Sequence, residues 1–319
     1  MESPTHPAPQ STNLVMMIRP AAFRMNEQTA INNAYQQEDG GLADAVEMAK
    51  AEFDGVVEVL RSAGVKVAVY EDDVDADTPD ALFPNNWVSF HGDGRVGLYP
   101  MFAPNRRKER RESLLYSLVA DYGVQLESIV DFTEFEDHDV FLEGTGSLIL
   151  DRREKIAYAA IGPRTDHQAA GHFCSAFGYD LLSFTAHQTT GDASSPIYHT
   201  NVMLAIGSEW AVVCPDIIPD PDERQQVLDA LGRAGRTVVR ITPEQVNGFA
   251  GNVLELKNMD GASIIAMSTA AFHAFSPEQR KQLEAHAELV HAPIPTIERL
   301  GGGSVRCMIA EVFLPEQAD

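Results

Sequence analysis

One unit recurs five times along this chain, and that recurrence constrains the fold more than any other feature. The unit is a helix-spaced stretch, a short apolar strand, a loop and a further strand pair. In "GLADAVEMAKAEFDGVVEVLRSAG", Leu42, Val46, Ala49, Phe53, Val56, Val57 and Leu60 share one helical face. Gly64 stands where a glycine closes such a helix, and "VKVAVYE" follows as a strand. Helices are predicted again near 105–121, 165–177, 221–234 and 277–287, each leading into a strand: "VQLESIV", "YDLLSF", "RTVVRI" and "AELVHAP".

The loops after these strands fall into one register: "FPNNW" (83–87), "FLEGT" (141–145), "YHTNV" (198–202), "FAGNV" (249–253) and "SVRCM" (304–308). Their fourth positions are Asn86, Gly144, Asn201, Asn252 and Cys307, separated by 58, 57, 51 and 55 residues. Most lead into hairpins, as in "NVMLAIGSEWAVVC" and "NVLELKNMDGASIIAM", where Gly-Ser and Asp-Gly mark the turns. The last copy lacks a strand of its own and takes "NLVMMIRP" from the other end of the chain. Each ββαβ unit alone leaves apolar surface exposed, so five are expected to close into a ring, a pseudo-fivefold α/β propeller. An ordinary α/β sheet with coincidental spacing is the plainer alternative. The expected organisation is a disordered tail over 1–13, rich in Pro, Ser, Thr and Gln, and one domain over 14–319.

A net charge of −23 argues against general affinity for nucleic acid or anionic membranes. No stretch of 18 apolar residues is present, so no spanning helix is expected, and the first residues lack the pattern of a secretory leader. Cys174, Cys214 and Cys307 are odd in number and widely spaced, which disfavours a disulfide framework or a zinc site and fits a reducing cytoplasm.

Taken singly, Cys307 reads as a small buried hydrophobe, His199 as a structural histidine and Glu143 as a solvated loop carboxylate. Their shared register changes this, because equivalent loops of a ring gather at one mouth. A thiolate is a strong nucleophile, and an imidazole can protonate a leaving amine and then activate water. A carboxylate can hold two N–H donors of a planar group. Gly301, Gly302 and Gly303 let backbone approach a substrate closely.

The motifs "FPNNW", "FLEGTGS", "GPRTDHQAA", "YHTNV" and "GGGSVRCM" resemble those of the guanidine-modifying superfamily of arginine deiminases, dimethylarginine hydrolases and amidinotransferases, over residues 14 to 315. Within it the chain looks most similar to the citrulline-utilisation hydrolase branch. The resemblance implies the pentein fold, with a Cys–His–carboxylate site in the channel. Cys307 then matches the nucleophile, His199 the general acid/base and Glu143 the carboxylate that orients substrate. Phe83 matches an aromatic against the planar group. Arg164 matches a residue that meets the substrate α-carboxylate in some members, a structural arginine at a helix start being the other reading.

Three departures bear on substrate. Arginine-acting relatives typically carry Asp at the positions of Asn86, Gly146 and Asn201. A guanidinium is a fixed cation with donors only, and burying it beside one carboxylate is costly. A ureido group is neutral and carries an acceptor oxygen; asparagine both donates and accepts. The expected reaction is hydrolysis of citrulline to ornithine, CO2 and ammonia through a thiocarbamate on Cys307, with Phe83, Asn86, Arg164, Asn201 and Gly303 at the substrate. The rival is a guanidine hydrolase or amidinotransferase acting on arginine or a derivative; a non-catalytic propeller acting as a binding protein is a third reading.

The remaining motifs read more plainly. "EDHDVFLEG" and "HQAAGHFC" lack metal-ligand spacing and are expected to be a charged loop and helix packing. "NRRKERRE" (105–112) is expected as a surface patch or subunit contact, which leaves room for a homodimer. "DDVDADTPD" (72–80) is expected as a solvated loop, with a lid as the alternative. No phosphate-cradling motif precedes a helix, so no cofactor is expected.

Overall fold

The computed structural model describes residues 8–37, 44–190 and 193–317. Leu42, the first apolar position of the opening helical pattern, lies outside them.

Five three-stranded sheets share one strand order: an antiparallel pair, with a third strand parallel to the middle one. In one, Val88–Phe90 pairs antiparallel with Arg95–Leu98, and Ser128–Asp131 returns parallel to the latter. Helix Glu112–Tyr122 makes the crossover. The next two are Leu148–Asp151, Ile156–Ala160 and Asp180–Phe184, then Leu204–Ile206, Trp210–Val213 and Thr237–Arg240. The fourth is Leu254–Lys257, Ser263–Ser268 and Glu288–Ala292. The fifth joins the chain ends, as expected: Ala310–Glu311 lies antiparallel to Leu14–Arg19, which runs parallel to Lys66–Glu71. A further hairpin, His187–Thr190 with Ala193–Pro196, has no counterpart in the sequence pattern.

Local chemistry sets the helix limits. Asp166 caps helix His167–Phe177 by accepting from Gln168 and Ala169 N–H, and Gly178 ends it at φ 71°. Ser276 and Gln279 form a capping box on Pro277–Glu284. Helix Ala45–Ser62 buries Ala49, Phe53, Val56, Val57 and Leu60 against Val15, Met17 and Val67 of its own sheet. Each of the larger ones, Phe53, Val56, Val57 and Leu60, contributes roughly 1.5–3 kcal/mol of burial. Among the described residues no helix is long and apolar enough to cross a membrane.

Two expectations are corrected. Residues 10–13, assigned by composition to a disordered tail, are tied across several sheets. The Gln10 side chain donates to Leu150 and Ile206 carbonyls and accepts from Arg152 N–H, and Ser11 donates to Glu255. Polar composition disfavours a core, but these side chains satisfy buried backbone groups that strands alone leave open. The second concerns the helix expected over 105–121. Its first part is a 3₁₀ turn, Pro104–Glu109, cut off from helix Glu112–Tyr122 by extended backbone at Arg110 and Arg111.

Candidate active site

Four of the five loops in register form single turns at the start of a sheet: Pro84–Asn86, Gly144–Ser147, Thr200–Val202 and Val305–Met308. Such turns aim side chains inward. Cys307, His199, Asn86 and Phe83 line one cavity of about 10 Å3, room for a single water. Phe83 lies against the glycine backbone: a Cβ at Gly301 or Gly303 would come within 2.9 Å of its ring. This explains the glycine run through packing. Gly302, at φ 63°, offers its carbonyl to Tyr198 Oη at 2.6 Å.

The Cys307 sulfur receives two amide donors, Asn252 Nδ2 at 3.2 Å and Asn201 Nδ2 at 3.4 Å. Asn252 Nδ2 also donates to the Asn201 carbonyl at 3.0 Å, which fixes which end of that amide faces sulfur. Donors of this kind suit a sulfur that carries negative charge. Asn201 therefore sits behind the Cys307 sulfur and not on the cavity wall. Asn252 was visible in sequence as the fourth member of the register, but nothing local marks its role. Replacing Asn252 with Ala is expected to lower kcat/KM by roughly tenfold or more. The same change slows carboxymethylation of Cys307, checked by peptide mass spectrometry.

His199 Nε2 lies 2.8 Å from Glu143 Oε2, and Glu143 Oε1 accepts from Phe102 N–H at 3.0 Å. Glu143 is fully buried, with Arg164 Nη1 at 3.6 Å and Arg106 Nη1 at 3.7 Å. Burial alone would raise the Glu143 carboxyl; Arg164, His199 and Arg106 overcome this and hold it at about 2. Burial holds His199 at about 4, below its usual 6.5, against the pull of Glu143. An ionised carboxylate only accepts, so the neutral ring carries its proton on Nε2 and keeps a lone pair on Nδ1. Nδ1 packs close to Gly146, where a Cβ would lie 2.8 Å from it and 2.5 Å from Asn86 Nδ2, too near for any larger residue. Both Glu143 oxygens are engaged by protein, so in this geometry Glu143 orients the histidine.

Arg164 sits under a segment that covers the cavity: Nε and Nη2 bond Asn32 Oδ1, and Nη2 bonds the Thr29 carbonyl. Asn33 from the same segment reaches the Gly301 carbonyl at 3.4 Å.

Two site residues escaped sequence reasoning. Arg106 belongs to the basic block expected at the surface, yet it is 2% exposed and lines the cavity. It forks onto Glu109 through Nε and Nη2, both at 2.9 Å, and Nη1 reaches Asn86 Oδ1 at 2.7 Å. Burial pushes the Glu109 carboxyl up to about 7, with Arg106 pulling the other way. Asp80 ends the acidic run expected as a solvated loop, yet it is 2% exposed. Its Oδ2 accepts from Asn26 and Thr29, while Oδ1 has no partner. Arg106 and Glu109 turn inward from the basic run and Asp80 from the acidic one, and composition cannot say which members do so. In the other charged motif Glu136 pairs with Arg110 and accepts from Met101 N–H.

A thiol, an imidazole–carboxylate pair and buried arginines on five like sheets define a class: the guanidine-modifying α/β enzymes, hydrolases of non-peptide C–N bonds. Within it the chain belongs to the family described as N,N dimethylarginine dimethylhydrolase, eukaryotic, whose model matches residues 19–314. The fold is similar to that of ArgZ, an arginine dihydrolase from the ornithine–ammonia cycle in cyanobacteria (TM-score 0.73, 15% identity, 95% of this chain and 41% of that one). The chain thus spans about two fifths of that protein's length. A mutant of the ArgZ N-terminal domain bound to substrate matches end to end (TM-score 0.72, 15% identity, 96% and 99% covered). A dimethylarginine dimethylaminohydrolase adduct with S-methyl-L-thiocitrulline is also similar (TM-score 0.61, 14% identity, 93% and 98% covered). No curated protein sequence matches the chain significantly.

Proposed function

We propose that this hydrolase acts on the ureido group of citrulline, with Cys307 as nucleophile and His199 as general acid and base. The observation that carries the reading is that the carboxylates at the cavity are already committed: Glu109 to Arg106, Glu143 to His199 and Phe102 N–H, and Asp80 Oδ2 to Asn26 and Thr29, which leaves Asp80 Oδ1. A neutral ureido group enters such a cavity without adding charge, whereas a guanidinium adds an unpaired cation. The free Asp80 Oδ1 suits an ammonium, and Arg164, once released from Asn32, suits a carboxylate. The cavity has room for no more than one water, so an amino acid enters only when residues 29–33 move aside.

The chemistry follows. His199 Nδ1 takes the Cys307 proton, and the sulfur attacks the ureido carbon. The C–N bond to the alkyl amine breaks as the imidazolium returns its proton to that nitrogen, releasing ornithine. Water, activated by His199, attacks the thiocarbamate and frees the sulfur; carbamate then decays to CO2 and ammonia. Backbone or amide N–H groups meet the charge that develops on oxygen. The supports for a pseudo-fivefold propeller around this site are the shared strand order of the five sheets and the loops that meet at one cavity. Three cysteines free of disulfides fit the cytoplasm.

The family match favours a second reading, hydrolysis of arginine or a methylated arginine. Separate incubation with citrulline, arginine and N,N-dimethylarginine, with products identified by mass spectrometry, decides between them. Ornithine from citrulline is the expected result. Citrulline formed from either guanidine, with citrulline itself untouched, selects the second reading.

A further inference from the structure

We propose that a second cavity, between the hairpin His187–Thr190 with Ala193–Pro196 and Tyr35, binds a small organic cation of the alkylammonium class, and that this cation holds in place the segment covering the active site. The cavity measures about 270 Å3, near the lower end of small-molecule pockets. The hairpin that walls it lies outside the strand pattern of the five sheets. The opposite walls are the turn Pro215–Ile217 and the helix Pro243–Asn247.

The lining suits a donor with positive charge. Gln188 is 6% exposed and lines the cavity, and its Oε1 has no hydrogen-bond partner. The Tyr35 hydroxyl is likewise buried and unpartnered. A buried acceptor left empty is costly, and a ligand N–H removes the cost. Asp216 supplies the charge: it is exposed at the cavity, and among the described residues no cation pairs with it. No described lysine or arginine lines the space. Ile217, Pro243 and Val246 give an apolar wall for an aliphatic stem, and the Tyr35 ring offers a π face to an ammonium.

Tyr35 ties this cavity to the active site. Its ring packs against Tyr198 and Phe249, with centroids 5.9 and 5.7 Å apart. Its N–H donates to Asn33 Oδ1 at 3.1 Å, and Asn33 Nδ2 reaches the Gly301 carbonyl. Substrate enters when residues 29–33 move aside, so a ligand held by Tyr35 opposes that movement and lowers kcat/KM. This effect rests on the reading of the Cys307 cavity as the catalytic one; the binding itself does not.

The probe is n-butylammonium, with n-butyrate as an anion of the same stem. His187 is the one lining side chain that can take on positive charge, so both are titrated at pH 8 by ligand-detected NMR. The proteins are wild type, Asp216→Asn and Gln188→Met, the last of which keeps side-chain volume. Saturable binding of the ammonium is expected in wild type, at least fivefold weaker in each variant, with butyrate unbound. At saturation the probe is expected to lower wild-type kcat/KM at least threefold and that of the variants less. Absence of saturable binding, equal binding of butyrate, or either variant binding as tightly as wild type overturns the proposal. Binding as expected with wild-type kcat/KM unmoved overturns the hold on the covering segment. A wild type that hydrolyses arginine and not citrulline overturns the citrulline reading alone, and kcat/KM is then measured with arginine.

Discussion

Exchanging Cys307 for serine is expected to lower kcat at least about 10³-fold while substrate binding survives. Cys307 is 3% exposed and lines the cavity with His199, and two amide N–H groups point at its sulfur. A serine hydroxyl fits the same space and can accept from the same amides, so the fold is retained. What disappears is an ionisable nucleophile: a hydroxyl stays protonated at neutral pH, and His199, held at about 4 by burial, is a weak base toward it. Steady-state ornithine release and calorimetric titration with citrulline separate the two effects. Turnover within tenfold of wild type would remove Cys307 from the mechanism.

The Glu143→Gln exchange is expected to act on stability and turnover together. Glutamine sets one N–H against either His199 Nε2 or Phe102 N–H, and Arg106 and Arg164 lose the carboxylate beside them. Leaving buried charge without its partner costs about 3–5 kcal/mol, measured as a fall in the urea midpoint. If the amide N–H turns toward His199, the ring proton moves to Nδ1 and the lone pair facing the cavity is lost. An expected fall in kcat of about 10³-fold follows from that wrong tautomer.

The two groups act over different ranges of pH. Glu143, at about 2 in the folded protein, ionises below its ordinary 4.5, so its stabilisation is complete above the ordinary value. That stabilisation is lost as pH falls through about 2. His199 sits at about 4 when folded and near 6.5 when unfolded, so between those values the unfolded chain binds the extra proton. Wild-type stability therefore falls as pH drops from 6.5 toward 4, by an order of about 3 kcal/mol. Urea midpoints of the wild type at pH 7 and pH 5 check the histidine, and midpoints at pH 5 and pH 3 for wild type against Glu143→Gln check the carboxylate.

Much of this site was legible in the order of residues. Helical spacing, turn residues and strand runs are local features, and five copies of one unit let their loops be compared position by position. Hence Cys307, His199 and Glu143 were picked out together, and Asn252 stood in the same column. Arg106 and Asp80 were hidden because each is one member of a charged run, and the inward member is chosen by a 3₁₀ turn and by partners far along the chain. Gln10 was hidden for a related reason: its partners are carbonyls and an N–H left open by sheets about 140 and 196 residues away.

The amino-acid order by itself determined the repeat, the strand order within each unit, the pairing of the two chain ends and the chemical types at the site. Those follow from periodicity and turn preference, which act over a few residues. The tertiary structure alone decided that Glu143 spends both oxygens on the protein, which nitrogen of His199 is free, and which way the Asn86 amide points. A donor or acceptor has no fixed direction until its partner is in place, and here every such partner comes from another part of the chain.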